Sequence, residues 1–222
     1  RNQCLCFGFG SPRLMSILNS GLAKSAAADA YTIDNSLRFN DGDSAYLSRT
    51  VGTPTSARIG TFSLWAKPSN LTSARTFVAN YTDSSNRSYF RFHETKDQIF
   101  IYSKDGGSAK MSLLTTAVYR DPSAWYHLVL AIDVSQSVAA NRAKLYVNGE
   151  QVTAFDTETY PDQNVDEPMF SEPNMLVGAG HGSSSIGGYM DGYLAEFYYI
   201  DGTALLPSSF GELDSTTNQW IP

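Results

Sequence analysis

From Ser36 onward the chain runs as short β-type segments separated by turn chemistry at intervals of about ten residues, a spacing that fits strands folding back on one another and leaves no room for long helices. Strands are predicted near "SLRFN", "AYLSR", "TFSLWAKP", "RTFVANY", "SYFRFHE", "QIFIYSK", "MSLLTT", "WYHLVLAID", "AKLYVNGEQVTA", "NMLVGA" and "GYLAEFYYIDG", enough for two packed sheets. The sharpest local constraint is Asn148-Gly149 in "LYVNGEQV". A two-residue type I′ turn needs positive φ at both central residues, and Asn-Gly supplies it, so Lys144 to Thr153 is predicted as a hairpin.

Alternation assigns the faces. In "TFSLWAKP", Phe62, Leu64 and Ala66 share one parity and mark a core face, while Thr61, Ser63, Trp65 and Lys67 share the other. In "WYHLVLAID", both parities are largely apolar, which predicts a central, buried strand. The tract "DTETYPDQNVDEPMFSEPN" has no strand signal and reads as an acidic, proline-bearing surface loop. Residues 1–35 are small, polar and alanine-rich toward their end and read as an arm or linker with at most one short helix. Met15 has the look of an initiator, which would assign residues 1–14 to an upstream start or to processing. The main domain is then 36–211, with a tail at 212–222.

Composition narrows the function classes. A chain of 222 residues can bury a full core, with roughly 70% of its unfolded surface removed from water. The formal charge is −6 and the 16 basic residues are scattered, so no basic stripe marks a nucleic-acid surface. No apolar run reaches the ~18 residues of a membrane span. Two cysteines, Cys4 and Cys6, neither staple a domain nor supply four metal ligands. The fold must stand on packing, and 13 Tyr, 12 Phe and 17 Gly are the means for a strand-and-turn chain.

The ordered set "SLRFNDGDSAYL", "FSLWAKP", "WYHLVLAIDVSQSVAANRAKLYVNGEQV", "LVGAG" and "GYLAEFYYIDGTALLPSSF" resembles the concanavalin A-like lectin/glucanase superfamily, in its laminin-G-like jelly-roll group, over about residues 36–211. The resemblance implies an all-β, two-sheet antiparallel jelly-roll sandwich whose closing strand pairs with its opening strand. "YTIDNSLRFNDGDSAYLSRT" with the closing "LAEFYYIDGTAL" is also similar to laminin-G-like virion proteins of tailed bacteriophages. That likeness implies display on the virion surface.

Glucanases of this superfamily carry their acids on one strand as E-x-D-x-E or E-x-D-x-x-E, and a retaining mechanism wants two carboxyls about 5 to 5.5 Å apart. Asp191 and Glu196 lie five positions apart, on opposite faces of a regular strand, and Tyr193 and Leu194 occupy the places between them. Asp191-Gly192 reads as a turn, and Glu196 as a structural residue near a sheet edge or bulge. Asn40, Asp41, Asp43 and Ser44 offer oxygen ligands of the kind calcium takes, although a turn explains the same residues. "HGSSSIGG" lacks the acids of a pentraxin-like metal loop, and the three histidines have no zinc spacing; His127 reads as a satisfied sheet residue. Sugar binding needs aromatic platforms and short polar side chains, which "ANYTDSSNRSYFRFHE" supplies as Asn80, Tyr81, Asp83, Asn86, Arg87, Tyr89, Arg91 and His93. The resemblance implies that these middle strands form the concave face.

The sequence therefore leads to a non-enzymatic virion surface structural protein, as capsid decoration or as a tail-fibre or spike component, with weak glycan adhesion. Its expected partners are other virion proteins, copies of itself and surface glycans, with no nucleic acid, membrane, cofactor or metal. The alternative is a secreted carbohydrate-binding or glucan-hydrolysing domain.

Overall fold

In the computed structural model, which describes residues 33–182 and 184–222, the β-type runs become strands. In chain order these are β1 (Leu37–Phe39), β2 (Leu47–Thr50), β3 (Ile59–Pro68), β4 (Arg75–Tyr81), β5 (Arg87–Phe92), β6 (Gln98–Asp105), β7 (Ser108–Val118), β8 (Tyr126–Asp133), β9 (Ala143–Val147), β10 (Glu150–Gln151), β11 (Phe155–Thr159), β12 (Asn174–Val177), β13 (Gly180–His181), β14 (Ile186–Gly187), β15 (Gly192–Asp201), β16 (Glu212–Leu213) and β17 (Trp220–Ile221). One sheet has six strands in the order β1-β15-β3-β8-β9-β10, and the other has seven in the order β11-β7-β6-β5-β4-β12-β2. The all-β, two-sheet antiparallel sandwich expected from the sequence is the observed architecture. The expected arm, 1–35, lies up to residue 32 outside the described residues.

Alternation builds the core. Phe62, Leu64, Leu128, Leu130 and Ile132 from the six-stranded sheet meet Phe77, Phe90, Phe92, Ile99, Ile101 and Leu113 from the seven-stranded sheet, all fully buried. Each such side chain contributes about 1.5–3 kcal/mol. The seam closes as expected, with Leu37 opposite Leu194 and Phe39 opposite Gly192. Gly192 is required there, because a Cβ would stand 2.1 Å from the Lys67 carbonyl oxygen. Asn148 and Gly149 adopt φ of 49° and 83°, as the hairpin turn demands.

Two regions depart from the sequence reading. The tract taken as a solvated loop contributes the edge strand β11, which pairs with β7, and a short helix, Pro168–Ser171, that buries Met169 and Phe170. Solvated acids at Asp156 and Glu158 hide the strand, because an edge strand needs no apolar outer face. The stretch read as a tail, 212–222, belongs through Ile221 to the same compact unit as the sandwich, 34–221. Residues 202–221 form a strap over the outer face of the six-stranded sheet. Leu205 N–H donates to Thr61 Oγ1 at 2.8 Å, Thr61 Oγ1 donates to the Thr203 carbonyl at 2.7 Å, and Phe210 packs on Val129, Ala131 and Tyr146. The strap is why both faces of β8 are apolar. It is also why Thr61 and Ser63, predicted on the face away from the core, are fully buried.

Candidate functional site

Period-two geometry sorts the eight residues singled out in the β4–β5 hairpin. Asn80 faces inward and is 1% exposed, with its amide 3.4 Å from the Glu172 carbonyl, so it does not join the others. Asp83 and Asn86 hold the turn between the strands. Asp83 Oδ1 accepts from the backbone of Ser85 and Asn86 at 2.7 and 3.0 Å, which holds its pKa below the usual carboxylate value. Asn86 Oδ1 accepts from Gly106 N–H at 2.8 Å and pins this turn to the β6–β7 turn. The remaining residues, Tyr81, Arg87, Tyr89, Arg91 and His93, lie half-buried on or at the end of the outer face of the seven-stranded sheet.

On that face the rings make a continuous bed. Tyr89 stacks on Tyr102 at 5.2 Å and meets Phe100 edge-on at 5.6 Å, and His93 lies 5.5 Å from Phe100. The Arg91 guanidinium sits 4.3 Å over Tyr89 while donating to Glu94 at 2.6 Å. Burial raises the Tyr89 pKa and lowers that of His93, so both rings are neutral near pH 7.

The β13–β14 hairpin folds over this bed and makes a cleft of about 330 Å³, lined by Thr76, Arg87, Tyr89, Arg91, His181 and Ser185 among others. His181 stacks on Tyr81 at 4.3 Å, and Arg87 donates to the Gly182 carbonyl. Three polar atoms around the cleft, Arg87 Nε, Arg91 Nε and His181 Nδ1, find no hydrogen-bond partner among the described residues. His181 opens the "HGSSSIGG" run, which the sequence marks only by its lack of metal-loop acids. Nothing local signals its role, since pairing of β13 with β14 brings it across from the β4–β5 hairpin.

The two acids of the closing strand stand in different surroundings. Asp191 precedes β15, lies 3.9 Å from Arg38, and has its pKa raised by burial. Glu196 sits in a bulge of β15 with φ 47° and accepts from the Tyr198 hydroxyl. It lines a mostly apolar groove with Leu37, Phe39 and Leu47 in which Asp191 takes no part. The segment Asp41–Asp43 is a 3₁₀ turn capped by Asn40, whose amide donates to Asp43 at 2.7 Å. Among the described residues no three His, Cys, Asp or Glu side chains converge as a metal site. His127, read as a satisfied sheet residue, is 1% exposed and hydrogen-bonded on both ring nitrogens.

A laminin-G-type family model described as the concanavalin A-like lectin/glucanases superfamily matches residues 40–206. No curated protein sequence matches the chain. Among solved structures, the CBM40 of the Ruminococcus gnavus IT-sialidase is similar at 13% identity and TM-score 0.53, over 79% of this chain and 95% of that one. The same module is similar in its complex with α2,3 sialyllactose. Domain 4 of AbnA, a GH43 extracellular arabinanase from Geobacillus stearothermophilus in complex with arabinotriose, is similar at 18% identity and TM-score 0.51, over 81% of this chain and 82% of that one. NanB sialidase from Streptococcus pneumoniae is similar at 15% identity and TM-score 0.54, over 84% of this chain and 30% of that one.

Proposed function

The chain belongs to the concanavalin A-like lectin/glucanase superfamily, and from that premise we propose that it is a non-enzymatic glycan-binding module whose site is the cleft over the seven-stranded sheet. One observation carries the reading: Tyr89, backed by its stack on Tyr102 and flanked by Arg87 and Arg91, lies in a cleft under the β13–β14 hairpin. The apolar C–H face of a pyranose lies on tyrosine, and its hydroxyls or a carboxylate accept from guanidinium N–H groups. Arg87 and Arg91 each keep an Nε–H without an acceptor among the described residues, and a small rotation of either side chain offers it to a ligand. Two of the similar structures hold sialyllactose and arabinotriose, which supports glycan as the ligand class. The separate settings of Asp191 and Glu196 support the non-enzymatic reading.

Glycan-array binding followed by calorimetry tests the site. Tyr89→Ala and the double variant Arg87→Ala/Arg91→Ala should each weaken the best ligand about tenfold or more; unchanged affinity in both would remove the site. Hydrolysis of a β-glucan by the wild type, lost in Glu196→Gln, would overturn the non-enzymatic reading. The setting we assign is the surface of a virion, beside other virion proteins and copies of itself, on the resemblance of the opening and closing runs alone. Many displayed copies would make weak single-site binding effective. Mass spectrometry of purified particles lacking this chain would rule that setting out.

A further inference from the structure

The opposite face of the sandwich carries a second cleft, of about 650 Å³, between the β9–β10 hairpin and the β16–β17 hairpin. Trp65, Trp125 and Trp220, the three tryptophans of the chain, all line it. Trp65 and Trp220 are fixed from below, and Trp125 lies 6.4 Å from the Tyr193 ring. His127 stacks on Trp65 with ring centres 4.8 Å apart and lies edge to edge with Trp220, nearly coplanar, at 5.8 Å. The Trp220 indole N–H donates to His127 Nδ1 at 2.8 Å. An indole nitrogen is a donor only, so Nδ1 must be the bare nitrogen, and Nε2–H then donates to Ser63 Oγ at 3.0 Å. Gly149 is open ground for the same indole, because a Cβ there would stand 2.4 Å from Trp220 Cε3.

A rigid indole wall loses little conformational entropy when a flat ring settles on it. The rim is polar: Asn148, Glu150, Asn218 and Gln219 are exposed around the half-buried Trp125 and Trp220. Among the described residues no Lys, Arg or exposed His lines the cleft, and Glu150 is its one charge. A carboxylate and side-chain amides accept from and donate to hydroxyls, and the carboxylate repels an acidic sugar.

We propose that this cleft is a second glycan site, specific for neutral pyranose chains, with Trp125 and Trp220 as stacking platforms and Glu150 accepting hydrogen bonds from sugar hydroxyls. It stands on different residues from the seven-stranded face and does not depend on that reading.

Because every tryptophan lies here, intrinsic tryptophan fluorescence reports this cleft and is blind to direct occupation of the other. Titration of the whole chain with neutral gluco-, manno- and galacto-oligosaccharides should shift or quench the emission saturably, while carboxylated or sulfated oligosaccharides should not. Trp125→Ala should weaken the neutral ligand about tenfold, with folding confirmed by circular dichroism. The rim variant Glu150→Ala, which touches no core, should weaken it several-fold, and Arg87→Ala/Arg91→Ala should leave it unchanged. An unmoved emission at roughly 10 mM of every neutral sugar would overturn the proposal. So would equal response to acidic sugars, or dependence on Arg87 and Arg91. A spectral change that follows protein concentration without sugar, with dimers in sedimentation, would overturn it in favour of self-association.

Discussion

On the seven-stranded sheet, the residues that alternate with the core, Arg87, Tyr89, Arg91 and Tyr102, stay half-buried and carry two cations. On the six-stranded sheet the corresponding residues, Thr61, Ser63, His127 and Val129, are fully buried beneath the strap of residues 202–221. Strand alternation is the same on both sheets, and what differs is the cover. An open face keeps charge and offers it to a ligand. A covered face must be neutral and hydrogen-bonded, and it offers only what stands at the edge of the cover, here the indoles. Charge therefore separates the two clefts, and perturbing it on each side is the way to test the difference.

The largest effect lies at the root of the seven-stranded sheet, where charge goes all the way in. Arg75 and Asp97 are 0% and 1% exposed and pair at 2.6 Å. Arg75 also donates to the Ser73 carbonyl at 3.1 Å, and Asp97 accepts from Thr72 N–H at 2.7 Å. Asp97→Ala leaves a guanidinium buried without its counter-charge, which should cost about 3–5 kcal/mol in chemical denaturation. A loss below about 1 kcal/mol would show that Arg75 escapes to solvent and that this end of the sheet is not held by charge.

Next in size is a pair of opposed titrations, one on each side. Burial lowers the His127 pKa to about 4 under the strap. Under the seven-stranded sheet, burial raises the Glu167 pKa to about 7. Between pH 4.5 and 6.5 the unfolded chain takes up a proton at His127 that the folded chain refuses, so this group lowers stability as pH falls. Over the same window the folded chain keeps a proton on Glu167 that the unfolded chain releases, so this group lowers stability as pH rises. Each amounts to about 3 kcal/mol across its window, and the two nearly cancel. Relative to wild type, His127→Gln should gain stability on acidification and Glu167→Gln should lose it, measured by denaturation at pH 4.5 and 6.5. Identical pH profiles for both variants and wild type would show that neither group is held as described.

Much of this fold was legible because alternation survives wherever a strand is long. The core faces of β3 and β5 follow from parity alone, and the β9–β10 turn from one dipeptide. The edge strand β11 and the two-residue strands β16 and β17 escaped, since a strand of two residues has no period to read and forms by docking. The site was half legible for the same reason. Tyr89 and Arg91 come together in the candidate site because they share one strand and one parity. Asn80 and Tyr81 are adjacent and must point to opposite faces, so they could not both serve the same face. Asp83 and Asn86 are turn-formers first. His181 and Trp220 meet Tyr81 and His127 from far along the chain, and nothing in their own neighbourhoods marks them.

The smallest effect bears most directly on whether charge divides the two clefts. Glu94 already occupies one edge of Arg91, at 2.6 Å, where an acidic ligand would also bind. The pair is partly solvated, with the Glu94 side chain 47% exposed, so its removal should change stability by no more than about 1 kcal/mol. Glu94→Gln keeps the shape and withdraws the competing charge. An exposed ion pair is worth about 0.2–1 kcal/mol, so acidic glycans should bind the variant up to about fivefold tighter. The gain should fade at high salt, as charge pairing near solvent must. Neutral glycans should bind with unchanged affinity, and the tryptophan emission should not respond to the substitution. If calorimetry shows neutral and acidic glycans gaining alike, shape and not charge governs the seven-stranded cleft, and the contrast between the two faces reduces to tyrosine against tryptophan.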